Sequence, residues 1–451
     1  LKGADLAWVA GFWRKAKGYI HYREEDGVVI IPPNLVYKTN PSGIAVLKFL
    51  DAGGRLDRLA AREPEKAGDI GAFVADIRSL YMGQAVETGQ IPYDFDFSRL
   101  PILGEIAVTY RCNNRCEFCY AGCGGGSGCS APLARAEAVE AKPEMSGRQI
   151  ERIIDIFSHD AKIPFFSFTG GEPLLREDLE SHIKYAGSRK LRMNLITNGT
   201  LATPERAASL YDAGLRTAQV SLESPDPETH DELCGAPGSH ARTLAGIKAL
   251  QEAGITVQTN TTITTRNRRE LASMPAFLAS LGIGRFSMNL YIPDARSPHA
   301  KRLLVSYTEV GGIVDEVRAS ARREGLVFFW YSPTPLCIYN PIARGLGNKS
   351  CAAADGLLSV NPYGDVLPCS SYPEPLGNLL EKPFEEVWFS QRAGHFKHKR
   401  YAPETCSGCS AFAACQSACP LYWDYAGVGE LENVVCARGI TRKKDPVASE
   451  V

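Results

Sequence analysis

The chain has 451 residues, 44% hydrophobic and 22% charged, with a formal net charge of −1 at pH 7. At roughly 100–200 residues per domain this is material for several domains, and the near-neutral balance gives no electrostatic case for nucleic acid or an anionic membrane as partner. No apolar run approaches the ~18 residues of a spanning helix, and Asp5 followed by Trp13-Arg14-Lys15 does not read as a secretory signal, so the expected compartment is the cytoplasm.

Residues 1–92 read as one small α+β module. "YIHYREEDGVVIIPPNLVYKTN" predicts short strands broken at Asp26-Gly27 and Pro32-Pro33. "SGIAVLKFLDAGG" places Ile44, Leu47 and Leu50 at helical spacing and stops at Gly53-Gly54. "RLDRLAAREP" predicts a second helix, and Ile70, Phe73, Ile77 and Leu80 one face of a third. Strands followed by three helices predict a winged-helix-like fold. Residues 93–104 are expected to be a linker.

Residues 105–330 alternate strand and helix. The predicted strands are "IAVTYRC", "FFSFTGG", "RMNLITNG", "TAQVSLES", "TVQTNTTITT" and "RFSMNLYIP", with amphipathic segments such as "LATPERAASLYDAG" and "YTEVGGIVDEVRASARREG" between them. Six strand–helix units in series predict a parallel sheet, either a partial barrel or an open doubly wound sheet. Ligands collect at the C-terminal strand ends of such sheets, where the first cysteine group, "TGGEP" and "ITNG" fall. After a bridge at 331–345, residues 346–440 change character. "GLLSVNPYGDVLPCSS" predicts a hairpin about Asn361-Pro362-Tyr363-Gly364 and "FEEVWFSQRAGHFKHKR" one helix, while the rest is cysteine-rich. Residues 441–451 read as a tail.

Fourteen cysteines in a chain of this size and expected compartment point to metal or redox chemistry rather than disulfides. Five lie between 112 and 129, seven between 351 and 436, and Cys234 and Cys337 between them. Cys112, Cys116 and Cys119 have the spacing C-x3-C-x2-C. With Cys123 or Cys129 they could close a tetrahedral zinc site. With three thiolates alone they suit an iron–sulfur cluster whose fourth iron is open.

That spacing, at the end of the first strand of a strand–helix series and followed by Tyr120, resembles the radical S-adenosylmethionine (AdoMet) superfamily over about residues 105–310. The resemblance implies a partial (β/α)6 TIM-like barrel in which Cys112, Cys116 and Cys119 hold a 4Fe–4S cluster. It further implies that the open iron binds AdoMet, and that reductive cleavage yields a 5′-deoxyadenosyl radical. It places the AdoMet site at Gly170, Gly171, Glu172 and Pro173 of "TGGEP", Asn198 of "ITNG", Ser221 and Glu223 of "SLES", and Asn260, with Thr262 beside it. Glu172 is the expected acceptor for the AdoMet ammonium.

The second cysteine block resembles the SPASM extension of that superfamily, with two auxiliary clusters, so that the resemblance implies three 4Fe–4S clusters in all. It assigns Cys351, Cys369 and Cys419, with Cys337 as a further candidate, to auxiliary cluster I. Cys406, Cys409, Cys415 and Cys436 fall to auxiliary cluster II. Ser370 stands beside Cys369 where some relatives carry an aspartate base, so no general base is assigned. Cys234 reads as an inert helix-end thiol. Cys123 and Cys129 read as loop cysteines, or as catalytic thiols near the open iron.

Residues 19–90 resemble the PqqD-like peptide-recognition domain of ribosomal-peptide modification systems, which takes up a leader peptide as an added strand. The expected function is therefore a maturase that cross-links or oxidises a precursor peptide recognised by its leader, with flavodoxin or ferredoxin as electron donor. The alternatives are a radical enzyme acting on a tetrapyrrole or other small molecule, and a zinc-stabilised peptide-binding scaffold without enzymatic activity.

Overall fold

The computed structural model describes residues 6–31, 35–82, 84, 95–122, 142–293 and 300–437. Helix α1 (Val9–Ala16) precedes an antiparallel sheet of β1 (His21–Arg23), β2 (Val28–Ile31) and β3 (Leu35–Lys38), in the order β1-β2-β3. Helices α2 (Pro41–Asp51), α3 (Leu56–Arg62) and α4 (Ala67–Tyr81) follow. The Asn40 side chain caps α2 by accepting from the Gly43 amide at 2.8 Å, with Pro41 in the first turn. Alternation along β2 divides its side chains between two packing surfaces. Val29 and Ile31 enter the module's own core with Trp13, Leu47 and Val74, whereas Val28 and Ile30 pack on Ile102 at the approach to the barrel. A buried pair fixes this docking. Arg23 binds Asp26 at 2.7 Å and also donates to the carbonyls of Leu100 and Pro101, while Asp26 accepts from the amide of Arg99.

The barrel strands are β4 (Leu103–Thr109), β5 (Phe165–Gly170), β6 (Arg192–Thr197), β7 (Thr217–Ser221), β8 (Thr256–Ile263), β9 (Arg285–Leu290) and β10 (Val327–Trp330), all parallel. The helices are α5 (Gly147–His159), α6 (Leu179–Ser188), α7 (Pro204–Ala213), α8 (Pro227–Cys234), α9 (Ser239–Glu252), α10 (Met274–Ser280), α11 (Ala300–Leu303) and α12 (Tyr307–Arg323). A seventh strand, β10, thus adds to the six that the sequence predicts. It is a four-residue aromatic run that directly follows α12. Helices α1 and α5 also have no counterpart among the predicted elements.

Period-two alternation explains why the sheet is both a core and a site. Ile106, Phe166, Phe168, Leu195, Val220 and Phe286 face the helices and belong to the main apolar cluster. The opposite face is polar: Gln258 donates to Gln219 at 3.0 Å, and Asn260 bonds Asn289 at 2.6 Å and Ser287 at 2.8 Å. That face lines a cavity instead of filling with apolar side chains.

The C-terminal region comprises β11 (Leu357–Val360), β12 (Asp365–Leu367), β13 (Gly377–Asn378), and helices α13 (Phe384–Trp388), α14 (Gln391–Lys397), α15 (Phe412–Cys415), α16 (Pro420–Ala426) and α17 (Gly429–Ala437). The predicted hairpin forms as β11–β12, but it extends the barrel: β11 pairs in parallel with β4, giving the order β10-β9-β8-β7-β6-β5-β4-β11-β12-β13. The single helix expected over "FEEVWFSQRAGHFKHKR" is two, because the Ser390 hydroxyl accepts from the Ala393 amide and starts α14 afresh.

Candidate active site and cluster mounts

The loop after β4 carries Cys112, Cys116 and Cys119, and it is held from several directions. Glu144 accepts from the Thr109 hydroxyl and the Tyr110 amide, both at 2.8 Å. The amides of Gly171 and Glu172 donate to the carbonyls of Thr109 and Arg111 at 2.8 Å, and those of Arg115 and Glu117 donate to Cys234 and Leu233 at the end of α8. Asn198 donates to Asn113 at 2.8 Å and reaches the Cys112 sulfur at 4.0 Å, where the Asn114 amide also points at 3.4 Å. Glycine is required at 171 because a Cβ there would meet the Arg111 carbonyl oxygen at 2.3 Å.

A cavity of about 370 Å³ opens on this loop. All three cysteines line it, as do Gly170, Gly171, Asn198, Ser221, Glu223, Asn260 and Thr262. Glu172 and Pro173 do not. Glu172 is fully buried, and its two oxygens accept from the amides of Leu174 and Asn198 at 3.0 and 2.8 Å and from the Thr197 hydroxyl at 2.7 Å. Its role here is to tie the end of β5 to that of β6, not to face the cavity as expected. Glu223 does face it. Burial pushes its carboxyl up to about 8, offset in part by the Thr262 amide donating at 2.8 Å.

Two ionisable residues of the lining, Glu105 and Cys234, are not among the site residues expected from the sequence. Glu105 projects inward from β4, and an acid inside the apolar run "ILGEIAVTY" was the available signal. Cys234 closes α8, as expected, but its thiol borders the cavity beside Cys116. No pattern in the sequence joins positions 116 and 234. Cys123 and Cys129 lie outside the described residues.

The C-terminal thiols form two groups. Burial with Cys351 alongside pushes Cys369 up to about 12, and Cys419 is raised by burial and by both of these. Ser370 and Ser371, next to Cys369, line the same cavity as the first cysteine loop. Burial pushes Cys406 up to about 12 as well, with Cys415, Cys337 and Cys409 as its neighbours. The Leu336 amide donates to the Cys415 sulfur at 3.3 Å. Cys337 therefore sits beside Cys406 and Cys415, whereas the sequence offered it to the group of Cys351. The backbone of Cys436 lies in α17, which packs against the turn containing Cys406; its side chain lies outside the described residues.

The donor sets fit clusters better than single ions. Among the described residues no three ligating side chains converge as one ion requires, whereas a cluster binds each thiolate through a different iron and spaces them wider.

Family comparison agrees with this geometry. Residues 106–278 match the Radical SAM superfamily and residues 351–410 the SPASM iron–sulfur cluster-binding domain. An AdoMet-dependent heme synthase of Nitratidesulfovibrio vulgaris is 26% identical over 73% of this chain and 90% of its own. A PqqA peptide cyclase of Rhizobium meliloti is 27% identical over 76% and 89%. Among solved structures, Streptococcus suis SuiB bound to S-adenosylmethionine superposes with a TM-score of 0.65 at 16% identity, covering 90% of this chain and 97% of SuiB. AdoMet-bound anSMEcpe superposes at 0.56 and 17% identity, over 75% and 98%. With cysteines mounted at the end of the first barrel strand and a cysteine-rich extension joined to that strand's edge, the chain is a radical SAM enzyme with a SPASM domain.

Proposed function

We propose that the enzyme is a maturase acting on a ribosomally made peptide that it recognises through a leader. The observation that carries this reading is the N-terminal module, whose β3 has a strand partner on one side only among the described residues. The module is docked on the barrel through Arg23 and Asp26. Unpaired edge amides and carbonyls are what an added peptide strand needs. The fold likeness to SuiB extends over 90% of the chain, and a SuiB structure contains its precursor peptide SuiA.

In this reading Cys112, Cys116 and Cys119 hold the 4Fe–4S cluster, and the cavity above them receives AdoMet and the substrate residue. Bound there, the cluster and AdoMet would supply 5′-deoxyadenosyl radical chemistry directed at an unactivated C–H. The chain's part is to bind, orient and exclude water. Asn198 and Asn113 brace the cluster loop. Glu223 and Asn260 offer polar contacts opposite it. Cys351, Cys369 and Cys419 carry one auxiliary cluster. Cys406, Cys409, Cys415 and Cys436 carry the other, with Cys337 beside them. A flavodoxin or ferredoxin supplies the electron.

A small-molecule substrate is the second reading, favoured by the heme synthases among the sequence relatives. The test is anaerobic turnover of the reconstituted enzyme with short peptides encoded beside it, each deuterated at candidate residues. Deuterium in 5′-deoxyadenosine together with a peptide product of changed mass supports the maturase. Turnover of a tetrapyrrole, with none of any peptide, refutes it. Iron and sulfide of about twelve each would match three 4Fe–4S clusters.

A further inference from the structure

Residues 351–355 form a tight turn that carries Cys351 at its start and a buried carboxylate, Asp355, at its end. The Asp355 and Leu357 amides both donate to the Ala352 carbonyl at 3.1 Å. The Ala354 amide donates to the Pro368 carbonyl at 2.9 Å, which ties the turn to the residue before Cys369. Ala353 and Ala354 pack with Ala393 and Phe396 of α14 in one apolar cluster that includes Cys351.

Lys399, just past α14, reaches into this turn. It is the one buried lysine among the described residues, and its side chain is 0% exposed. Lysine is almost never fully buried unless paired. Its Nζ donates to the Cys351 carbonyl at 2.6 Å and to Asp355 Oδ2 at 3.0 Å, so one ammonium grips both ends of the turn. Lys399 and Ala354 have φ of +53° and +46°, a left-handed conformation that residues with a Cβ keep only where the surroundings impose it. The Lys399 amide donates to the Phe396 carbonyl at 3.0 Å, and its carbonyl accepts from the Ala402 amide at 2.9 Å. A well-packed apolar pair often matches or exceeds a buried ion pair in stability, because both charges must be desolvated. Stability alone therefore gives no reason for a lysine here. What the ammonium adds is a donor to the Cys351 carbonyl and a positive charge at the residue whose sulfur is a proposed ligand.

We infer that Lys399 and Asp355 are positioning residues that hold the Cys351 turn and balance charge beside the auxiliary cluster carried by Cys351, Cys369 and Cys419. Reduction adds negative charge to a cluster whose ligands are already anionic. A nearby cation therefore favours the reduced form and a nearby anion opposes it. The two signs sit on separate side chains and can be removed one at a time. Neither residue lines the cavity, but Ser370 and Ser371 place the Cys369 side of this mount at its wall. The pair thus bears on how readily an electron passes between the cavity and this site. The inference rests on Cys351 as a cluster ligand, not on the identity of the substrate.

The test is a redox titration of the reconstituted holoenzyme by EPR, following the signal that disappears in Cys351→Ala. Lys399→Met keeps the length of the side chain and leaves Asp355 unbalanced. Its midpoint is expected to become more negative by an amount equal to about tenfold in the reduced fraction, ~59 mV for one electron. Asp355→Asn keeps an acceptor for the ammonium, drops the negative charge and is expected to raise the midpoint by a similar amount. The double variant removes both charges and is expected to return close to the wild-type midpoint. A merely structural role would lower the thermal midpoint of both single variants without giving potentials of opposite sign. Unchanged potentials, or shifts in the same direction in the two single variants, overturn the inference. Where Lys399→Met fails to load the cluster, Asp355→Asn decides alone, and a potential at or below that of the wild type overturns the inference. Cys351→Ala with every signal intact would instead overturn the ligand assignment and the inference with it, which keeps the two failures distinct.

Discussion

The Ser359 hydroxyl donates a 2.6 Å hydrogen bond to Glu105, joining the first strand of the C-terminal hairpin to the first strand of the barrel. The hydroxyl and amide of Ser370 also donate to this carboxylate, and burial still raises its pKa. One inward-facing acid therefore connects the AdoMet cavity, the sheet extension and the segment beside Cys369. Removing it leaves three donors, the Ser359 and Ser370 hydroxyls and the Ser370 amide, without this acceptor. Glu105→Ala is expected to cost about 2–3 kcal/mol, the usual penalty for orphaned buried polar groups, read as a lower thermal midpoint of the metal-free protein. Ser359→Ala removes only one donor and should cost less. Equal midpoints for Glu105→Ala and wild type would show that the hairpin is held by other contacts.

Gly171 joins the second strand end to the cluster loop. An alanine there must push the Arg111 carbonyl away, and Arg111 adjoins Cys112. A misplacement of about 1 Å near the reacting centre can cost on the order of 10²-fold in rate. Gly171→Ala is expected to lose AdoMet cleavage by roughly that factor, with weaker AdoMet binding by equilibrium dialysis. Gly187 in α6 has open space around it, so Gly187→Ala should leave cleavage intact and stabilise by about 0.5–1 kcal/mol. Similar cleavage rates in the two variants would remove the bracing role.

Glu223 gives the unliganded protein a pH signature. Its folded pKa of about 8 lies above the ordinary value of 4.5, so between these values the folded state keeps a proton that the unfolded chain releases. Stability from this group is fully present below the unfolded value and is lost as pH rises through the folded one, with a slope of at most about 1.4 kcal/mol per pH unit. Melting curves without AdoMet should fall between pH 6 and about 8, and Glu223→Gln should flatten that decline. An equally steep decline in the variant would place the titrating group elsewhere.

The sequence made visible what is local or periodic. The helices from Pro41–Asp51 to Ala67–Tyr81, the six predicted strands and the C-x3-C-x2-C loop all rest on short-range patterns, and they lie in the expected elements. What it hid depends on the third dimension. The spacing of "ITNG" and "TGGEP" cannot say that the Glu172 carboxylate turns inward to Thr197 while Glu223 faces the cavity. Nor can it show that Cys337 sits by Cys406, or that β11 pairs with β4 more than 250 positions away, as the Ser359–Glu105 separation of 254 shows. The break at Ser390 was legible, since a serine followed by polar residues is a cap signal, but the longer amphipathic pattern masked it.

The β3 edge offers the most direct test of peptide recognition. In an antiparallel pair, residues alternate between those that exchange hydrogen bonds with the partner and those whose backbone groups point away. The Thr39 amide donates to the Gly27 carbonyl at 2.8 Å, and Tyr37 is opposite Val29 while Val36 is opposite Ile30. Counting in twos from Thr39, Tyr37 and Leu35 bond inward to β2, so the amides of Val36 and Lys38 face outward. Proline at 36 removes one outward donor and leaves the β2 ladder whole. Val36→Pro is expected to weaken leader binding about tenfold, the loss of one hydrogen bond of ~1–1.5 kcal/mol, by fluorescence anisotropy with the full-length enzyme. Val36→Ala controls for the lost side chain and should bind nearly as wild type. AdoMet cleavage without peptide should be unchanged in both. Wild-type leader affinity in Val36→Pro would exclude strand addition at β3 and move the search for the peptide to another face of the module.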